Sequence, residues 1–189
     1  MIGIIDYNCG NITSVTNALD HLSMPWEVVS SAEKFKQYDS LILPGVGSFA
    51  NAMNKLNKRN LSDAIVDSIE GGMKFLGICV GMQVLFEKGY EASEINGLCY
   101  FKGSVEKIQD LKTPSVGWYS VVDHDQNHYG KFYFTHSFAA NCEEKGSFYY
   151  ELKGKKIIAG KRYNNVLGVQ FHPERSGQVG LNFLRDYLT

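Results

Sequence analysis

The segment Phe75-Leu76-Gly77-Ile78-Cys79-Val80-Gly81-Met82-Gln83 is an apolar run that halts at a cysteine, with a glycine two residues before it and another two after, and then takes on helical character. This spacing predicts a nucleophile elbow. The small residues let a strand turn sharply into a helix and leave the thiol at the helix N-terminus, where backbone N–H groups favour thiolate. A turn of this kind needs a strand that feeds a helix, so it restricts the chain to α/β architectures. Near the other end, Gly168-Val169-Gln170-Phe171-His172-Pro173-Glu174 predicts a strand that ends in a histidine with a carboxylate two positions on. In extended chain His172 and Glu174 share a face, close enough for the carboxylate to orient the imidazole.

The rest of the pattern agrees with an α/β fold. Apolar runs at Ile2 to Asp6, Trp26 to Val29, Ser40 to Leu43 and Phe75 to Ile78 predict strands. Between them lie stripes at helical spacing: Ile12, Val15, Leu19 and Leu22; Phe49, Met53 and Leu56; Ile65 and Ile69. Short buried strands interleaved with amphipathic helices imply a parallel sheet covered on both faces. After the helix that contains Gly81, the stretches 97–108, 116–122, 132–137, 148–152, 157–163 and 166–171 are strand-like and joined by turn residues, and a last helix carries Leu181, Leu184 and Leu188. No linker, charge block or repeat interrupts the chain. The expectation is one α/β domain over residues 1–189. Its central sheet is mostly parallel and flanked by helices, and antiparallel strands of the C-terminal half complete it as one mixed sheet. At 189 residues and 44% hydrophobic, the chain has enough apolar material for a full core.

A net charge of −1 lacks the basic excess that nucleic acid binding needs, and no window of about 18 uncharged apolar residues is present to span a bilayer. Met1 to Asp6 carries no basic leader, so a cytoplasmic setting is expected. Cys9, Cys99 and Cys142, far apart and without a C-x-x-C pair, are expected to be free thiols serving as small buried hydrophobes, and no metal site is predicted. His21, His124 and His128 sit in helical or polar loop contexts and read as solvated surface. Gly45-Val46-Gly47-Ser48-Phe49-Ala50 matches a dinucleotide fingerprint, but it follows an internal strand and its acidic residue, Asp63, falls inside a helix. No cofactor is therefore expected.

Thiolate attack on an amide needs an activated sulfur, a base that takes and returns a proton, and donors for the oxyanion. Cys79, His172 and Glu174 supply the first two requirements. The amide of Val80, first in the elbow helix, and the amides of Val46 and Gly47 in the tight Pro44-Gly45-Val46-Gly47 loop are the candidate donors. Parallel sheets bind ligands beyond the carboxyl ends of their strands, where the elbow and this loop both fall.

The elbow and Phe171-His172-Pro173-Glu174 resemble the class I (triad) glutamine amidotransferases. Asp6 to Ile12, Leu43 to Phe49, Val116-Gly117-Trp118, Tyr133 to Phe138 and Gln170 to Ser176 are similar, in order and spacing, to the glutaminase subunits of imidazole glycerol phosphate synthases in histidine biosynthesis. The resemblance runs over essentially the whole chain. It implies glutamine hydrolysis through a Cys79 thioester, with Gly47, Gln83, Ser137 and Phe138 contacting glutamine. It also implies a heterodimer with a separate (β/α)₈-barrel cyclase subunit, faced by Asn11, Trp118, Tyr119, Tyr133 and Arg175, to which ammonia passes. Two departures fall at that face: the family usually has Asn where this chain has Tyr119, and Lys where it has Arg175. Related glutaminases donate ammonia in surface-sugar biosynthesis, and a non-catalytic scaffold of the same fold is a reading of a different class.

Overall fold

The computed structural model describes residues 1–189. Where apolar residues run unbroken, the chain forms strands buried on both faces: β1 (Ile2–Ile5), β3 (Ser40–Gly45), β4 (Lys74–Cys79) and β13 (Val166–Val169), with β2 (Trp26–Val29) at the margin. Where they recur at helical spacing, it forms α1 (Ile12–His21), α2 (Phe49–Lys58), α3 (Ser62–Glu70) and the C-terminal α5 (Gly177–Leu188). The side-chain oxygens of Asn11 and Ser48 accept from the amides of Ser14 and Asn51 and so cap α1 and α2. A single turn, α4 (Val80–Gln83), follows β4 directly. The remaining strands are β5 (Phe86–Tyr90), β6 (Glu94–Asn96), β7 (Phe101–Lys107), β8 (Ser115–Asp123), β9 (His128–His136), β10 (Phe138–Asn141), β11 (Ser147–Leu152) and β12 (Lys155–Tyr163).

Nine strands form the main sheet, in the order β2-β1-β3-β4-β13-β12-β11-β8-β9. The first five are mutually parallel, and β12, β11, β8 and β9 continue the sheet antiparallel. The expected α/β architecture is present, but not every C-terminal strand joins that sheet. A second sheet, β10-β7-β5-β6, stands apart. It exists because the helix after Cys79 stops after one turn. The carbonyls of Val84, Leu85 and Phe86, which a longer helix would offer to its own later amides, accept instead from Leu98, Tyr100, Phe101 and Cys99. Gly97 permits the approach, since a Cβ there would lie 2.1 Å from the Phe86 carbonyl oxygen.

Two register facts place the site. Cys79 pairs with Gly45 of β3, while Ile78 pairs with Val169 of β13, so the carboxyl ends of these three neighbouring strands finish side by side. The edge strand β9 is then covered by the segment after β13: Tyr133 donates its N–H to Ser176 Oγ (3.0 Å) and accepts from the His172 N–H (2.9 Å). An otherwise open edge is thereby closed, and residues from β9 reach the same end of the sheet. No helix is long and apolar enough to cross a membrane.

Candidate active site

Cys79 has φ +56° and ψ −112°, a conformation that non-glycine residues avoid and that persists only where the surroundings impose it. Three glycines impose it here. A Cβ on Gly81 would lie 1.9 Å from the Leu43 carbonyl oxygen, one on Gly45 would lie 2.4 Å from the Gly81 nitrogen, and one on Gly77 would lie 2.6 Å from the Gly81 carbonyl oxygen. Thus α4 is pressed onto β3 and β4 at distances only hydrogen atoms allow, and the chain must reverse at residue 79. The sulfur ends on the floor of a cleft of about 250 Å³.

His172 lines the same cleft. Its Nδ1 lies 2.8 Å from Glu174 Oε1, and both side chains are almost fully buried. The pair does not meet along extended chain, as the sequence spacing suggested. Residues Pro173–Arg175 form a 3₁₀ turn in which Pro173 takes the first position, where its fixed φ is already helical and its missing N–H costs nothing. With Nδ1 committed to Glu174, Nε2 is the nitrogen left for the sulfur. Burial opposes a charge on this ring, but the hydrogen bonds and charges of Cys79 and Glu174 outweigh it and raise His172 from its ordinary value to about 10. At neutral pH the ring therefore holds a proton beside the sulfur.

Val46, Gly47 and Val80 border the cleft on the side of the elbow. Val80 opens α4, so its amide has no acceptor within the helix. Gly47 has φ +91° with open space around it, and the Val46 carbonyl accepts from the Cys9 thiol at 3.0 Å. Gln83, at the end of α4, and Ser137 and Phe138 line the same cleft, together with Thr135, His136 and Glu91. Of the five residues expected to face a partner, Asn11 and Arg175 reach the cleft rim. The Arg175 guanidinium lies 4.7 Å from the centre of the Tyr133 ring, and the indole of Trp118, half exposed, sits edge-on to that ring at 5.9 Å. Tyr119 is on the other face of β8, its ring packed on Phe134 (5.7 Å) and Tyr150 (4.8 Å), because neighbouring residues of a strand point to opposite sides.

The cysteines also differ from expectation. Cys9 and Cys142 are half-buried and Cys99 is exposed in a turn at φ +56°, so it is the candidate nucleophile that is buried. His21, His124 and His128 are exposed, as their contexts suggested. Sequence reasoning passed over Gln170, His136 and Glu91. Gln170 is fully buried and donates to the Cys79 sulfur at 3.7 Å. The strand expected over 166–171 would have put it on the face of His172, which was the available signal, but β13 ends at Val169 and the chain bends at residues 170 and 171. His136 is held between Tyr150 Oη (2.9 Å) and the Phe138 carbonyl (2.8 Å), and Glu91 accepts from the first amide of α2 at 2.7 Å.

A buried thiol on a glycine-built elbow, a protonated imidazole beside it, a carboxylate behind the ring and backbone amides of the adjoining Val80 and Val46–Gly47 segments can form and hydrolyse an acyl-enzyme. A family model described as glutamine amidotransferase class-I matches residues 3–188. The chain belongs to this family. Class-I glutamine amidotransferases hydrolyse glutamine, and this chain is an enzyme of that kind. The imidazole glycerol phosphate synthase subunit HisH of Lactococcus lactis is 43% identical over 196 residues, covering 99% of this chain and 97% of its own length. The protein of the same name from Caldanaerobacter subterraneus is 41% identical over 196 residues, with the same coverage. A solved glutamine amidotransferase superposes with a TM-score of 0.78 at 19% identity, covering 99% of this chain and 96% of the other, and supports the fold.

Proposed function

We propose that this chain is the glutaminase subunit of an imidazole glycerol phosphate synthase, with Cys79, His172 and Glu174 as its triad. The observation that carries this reading is the buried His172–Glu174 pair beside a thiol held at positive φ. It is supported by full-length similarity at about 40% identity to proteins bearing that subunit's name. The cleft is somewhat smaller than the roughly 300–1,000 Å³ typical of drug-sized ligands, which suits a single free amino acid.

In the proposed reaction, glutamine enters between the Gly47 loop and the wall of Gln83, Ser137 and Phe138. The Cys79 sulfur attacks the side-chain carbonyl carbon, and the amides of Val80 and of the Val46–Gly47 loop receive the oxyanion. As the C–N bond breaks, His172 gives its proton to the departing nitrogen, and ammonia leaves a γ-glutamyl thioester. The now neutral imidazole takes a proton from water, the resulting hydroxide attacks the thioester carbon, and the sulfur departs as thiolate with glutamate released. Glu174 keeps Nδ1 protonated throughout, so that Nε2 alone exchanges protons.

Free ammonia is mostly protonated at neutral pH and is then not nucleophilic, so its use calls for a closed route to an acceptor. We assign that acceptor to a (β/α)₈-barrel cyclase subunit in the cytoplasm, docked on the face that carries Trp118, Tyr133 and Arg175. Exposed Trp118 and Arg175 on either side of half-buried Tyr133, with Arg175 reaching the cleft rim, have the composition of an interface hot spot. The test is glutamate release by the chain mixed with the cyclase barrel. Cys79→Ser is expected to lower it about a thousandfold or more. Full activity in that variant removes Cys79 as nucleophile, and stimulation only by a barrel from a sugar-amidating pathway redirects the acceptor assignment.

A further inference from the structure

A chain of amide hydrogen bonds ends on the sulfur, and a backbone carbonyl fixes its direction. The Phe138 carbonyl can only accept, so the end of Gln83 that meets it at 3.1 Å is the NH₂ group. The same Nε2 lies 2.9 Å from the Gln170 side chain, which must therefore turn its oxygen toward Gln83. That leaves the Gln170 NH₂ facing Cys79 Sγ at 3.7 Å, an ordinary length for donation to sulfur. The Phe138 carbonyl is itself held by His136 Nδ1 at 2.8 Å, and since that nitrogen must donate, Nε2 accepts from Tyr150 Oη at 2.9 Å. No link can be reversed without setting two donors or two acceptors against each other.

We infer that Gln170 is a positioning residue for the reaction, donating an N–H that stabilises the Cys79 thiolate and holds it toward the cleft. The inference rests on Cys79 being the nucleophile, but its test does not require turnover. Gln170 is fully buried and contributes no surface to the cleft, so its influence on chemistry runs through the sulfur. A hydrogen bond to a charged acceptor buried among apolar groups is worth more than one to a neutral acceptor, and its donor favours thiolate over thiol. Gln170 and His172 both reach the Cys79 sulfur from the bend that follows β13.

The experiment is alkylation of the full-length protein by iodoacetamide, followed peptide by peptide. Tryptic cleavage isolates Cys79 as the lone cysteine of Phe75 to Lys88, and exposed Cys99 serves as an internal standard. Gln170→Met keeps the length and loses the donor. With Cys99 as the standard, the rise of its Cys79 alkylation rate with pH is expected to move up by about one unit, a roughly tenfold deficit on the acid side of the profile, and the variant and wild type converge at high pH. Gln170→Glu keeps the acceptor for Gln83 but sets a carboxyl against the sulfur, and the same pH-dependent deficit is expected, so it serves if the methionine variant does not fold. In glutamine turnover, kcat falls while KM holds. An unshifted profile, or a deficit equal at every pH, overturns the inference, whether or not the chain hydrolyses glutamine.

Discussion

His136 is a buried imidazole that never needs a charge. Burial pushes it down from its ordinary value to about 4, the His172 charge adds to that, and the bond to the Phe138 carbonyl only partly offsets them. In the unfolded chain the same ring takes up a proton near pH 6.5. Between about pH 6.5 and 4 the unfolded state therefore binds more protons, and folding weakens as pH falls. The loss should reach roughly 2 to 3 kcal/mol by pH 4.5, read as a lower urea midpoint, and His136→Gln should flatten that slope. His172, raised to about 10, acts in the opposite sense: its contribution is complete below its unfolded value and is lost only as pH climbs toward the folded one. The contrast between the two histidines was only half visible in the sequence. His172 announces itself by its neighbours Pro173 and Glu174, whereas the partners of His136, Tyr150 and the Phe138 carbonyl, come together only when β9, β10 and β11 have assembled.

At the scale of elements, the elbow depends on three backbones meeting without side chains between them. Gly81→Ala would drive a methyl into the Leu43 carbonyl, and since neither β3 nor α4 can move without breaking its neighbours, a loss of about 3 kcal/mol or more is expected by thermal or urea unfolding. Gly154→Ala is the useful contrast. Residue 154 has φ +80° but nothing within 4 Å, so only the backbone strain of about 1 kcal/mol should be felt. Glycine spacing made the elbow legible because the geometry is local. The second sheet was not legible for the opposite reason: β5 and β6 are short, β6 is largely exposed, and what terminates α4 is a set of amides from residues 98–101, contributed by chain more than ten positions away. The 3₁₀ turn at Pro173 escaped similarly, since His-Pro-Glu is compatible with extended chain until Ser176 and Tyr133 pull it round.

At the scale of the whole molecule, the parallel half supplies the proposed nucleophile, and β9 with the start of β10 supplies Thr135 to Phe138 of the cleft wall. The exposed flank of that wall carries Val116 and Trp118, each about half accessible, on the strand paired with β9. Trp118→Ala should leave the melting temperature of the isolated chain within a degree or two, because the indole covers little of the core. It should weaken association with the cyclase barrel by about tenfold or more, measured by titration calorimetry.

Tyr133 is shared property. Its ring is the shelf on which Trp118 and Arg175 rest, and its backbone carbonyl is the peg from which His172 hangs. Anything that leans on the shelf tugs the peg, so the outer contact ledge and the proton-carrying ring cannot be displaced independently of one another.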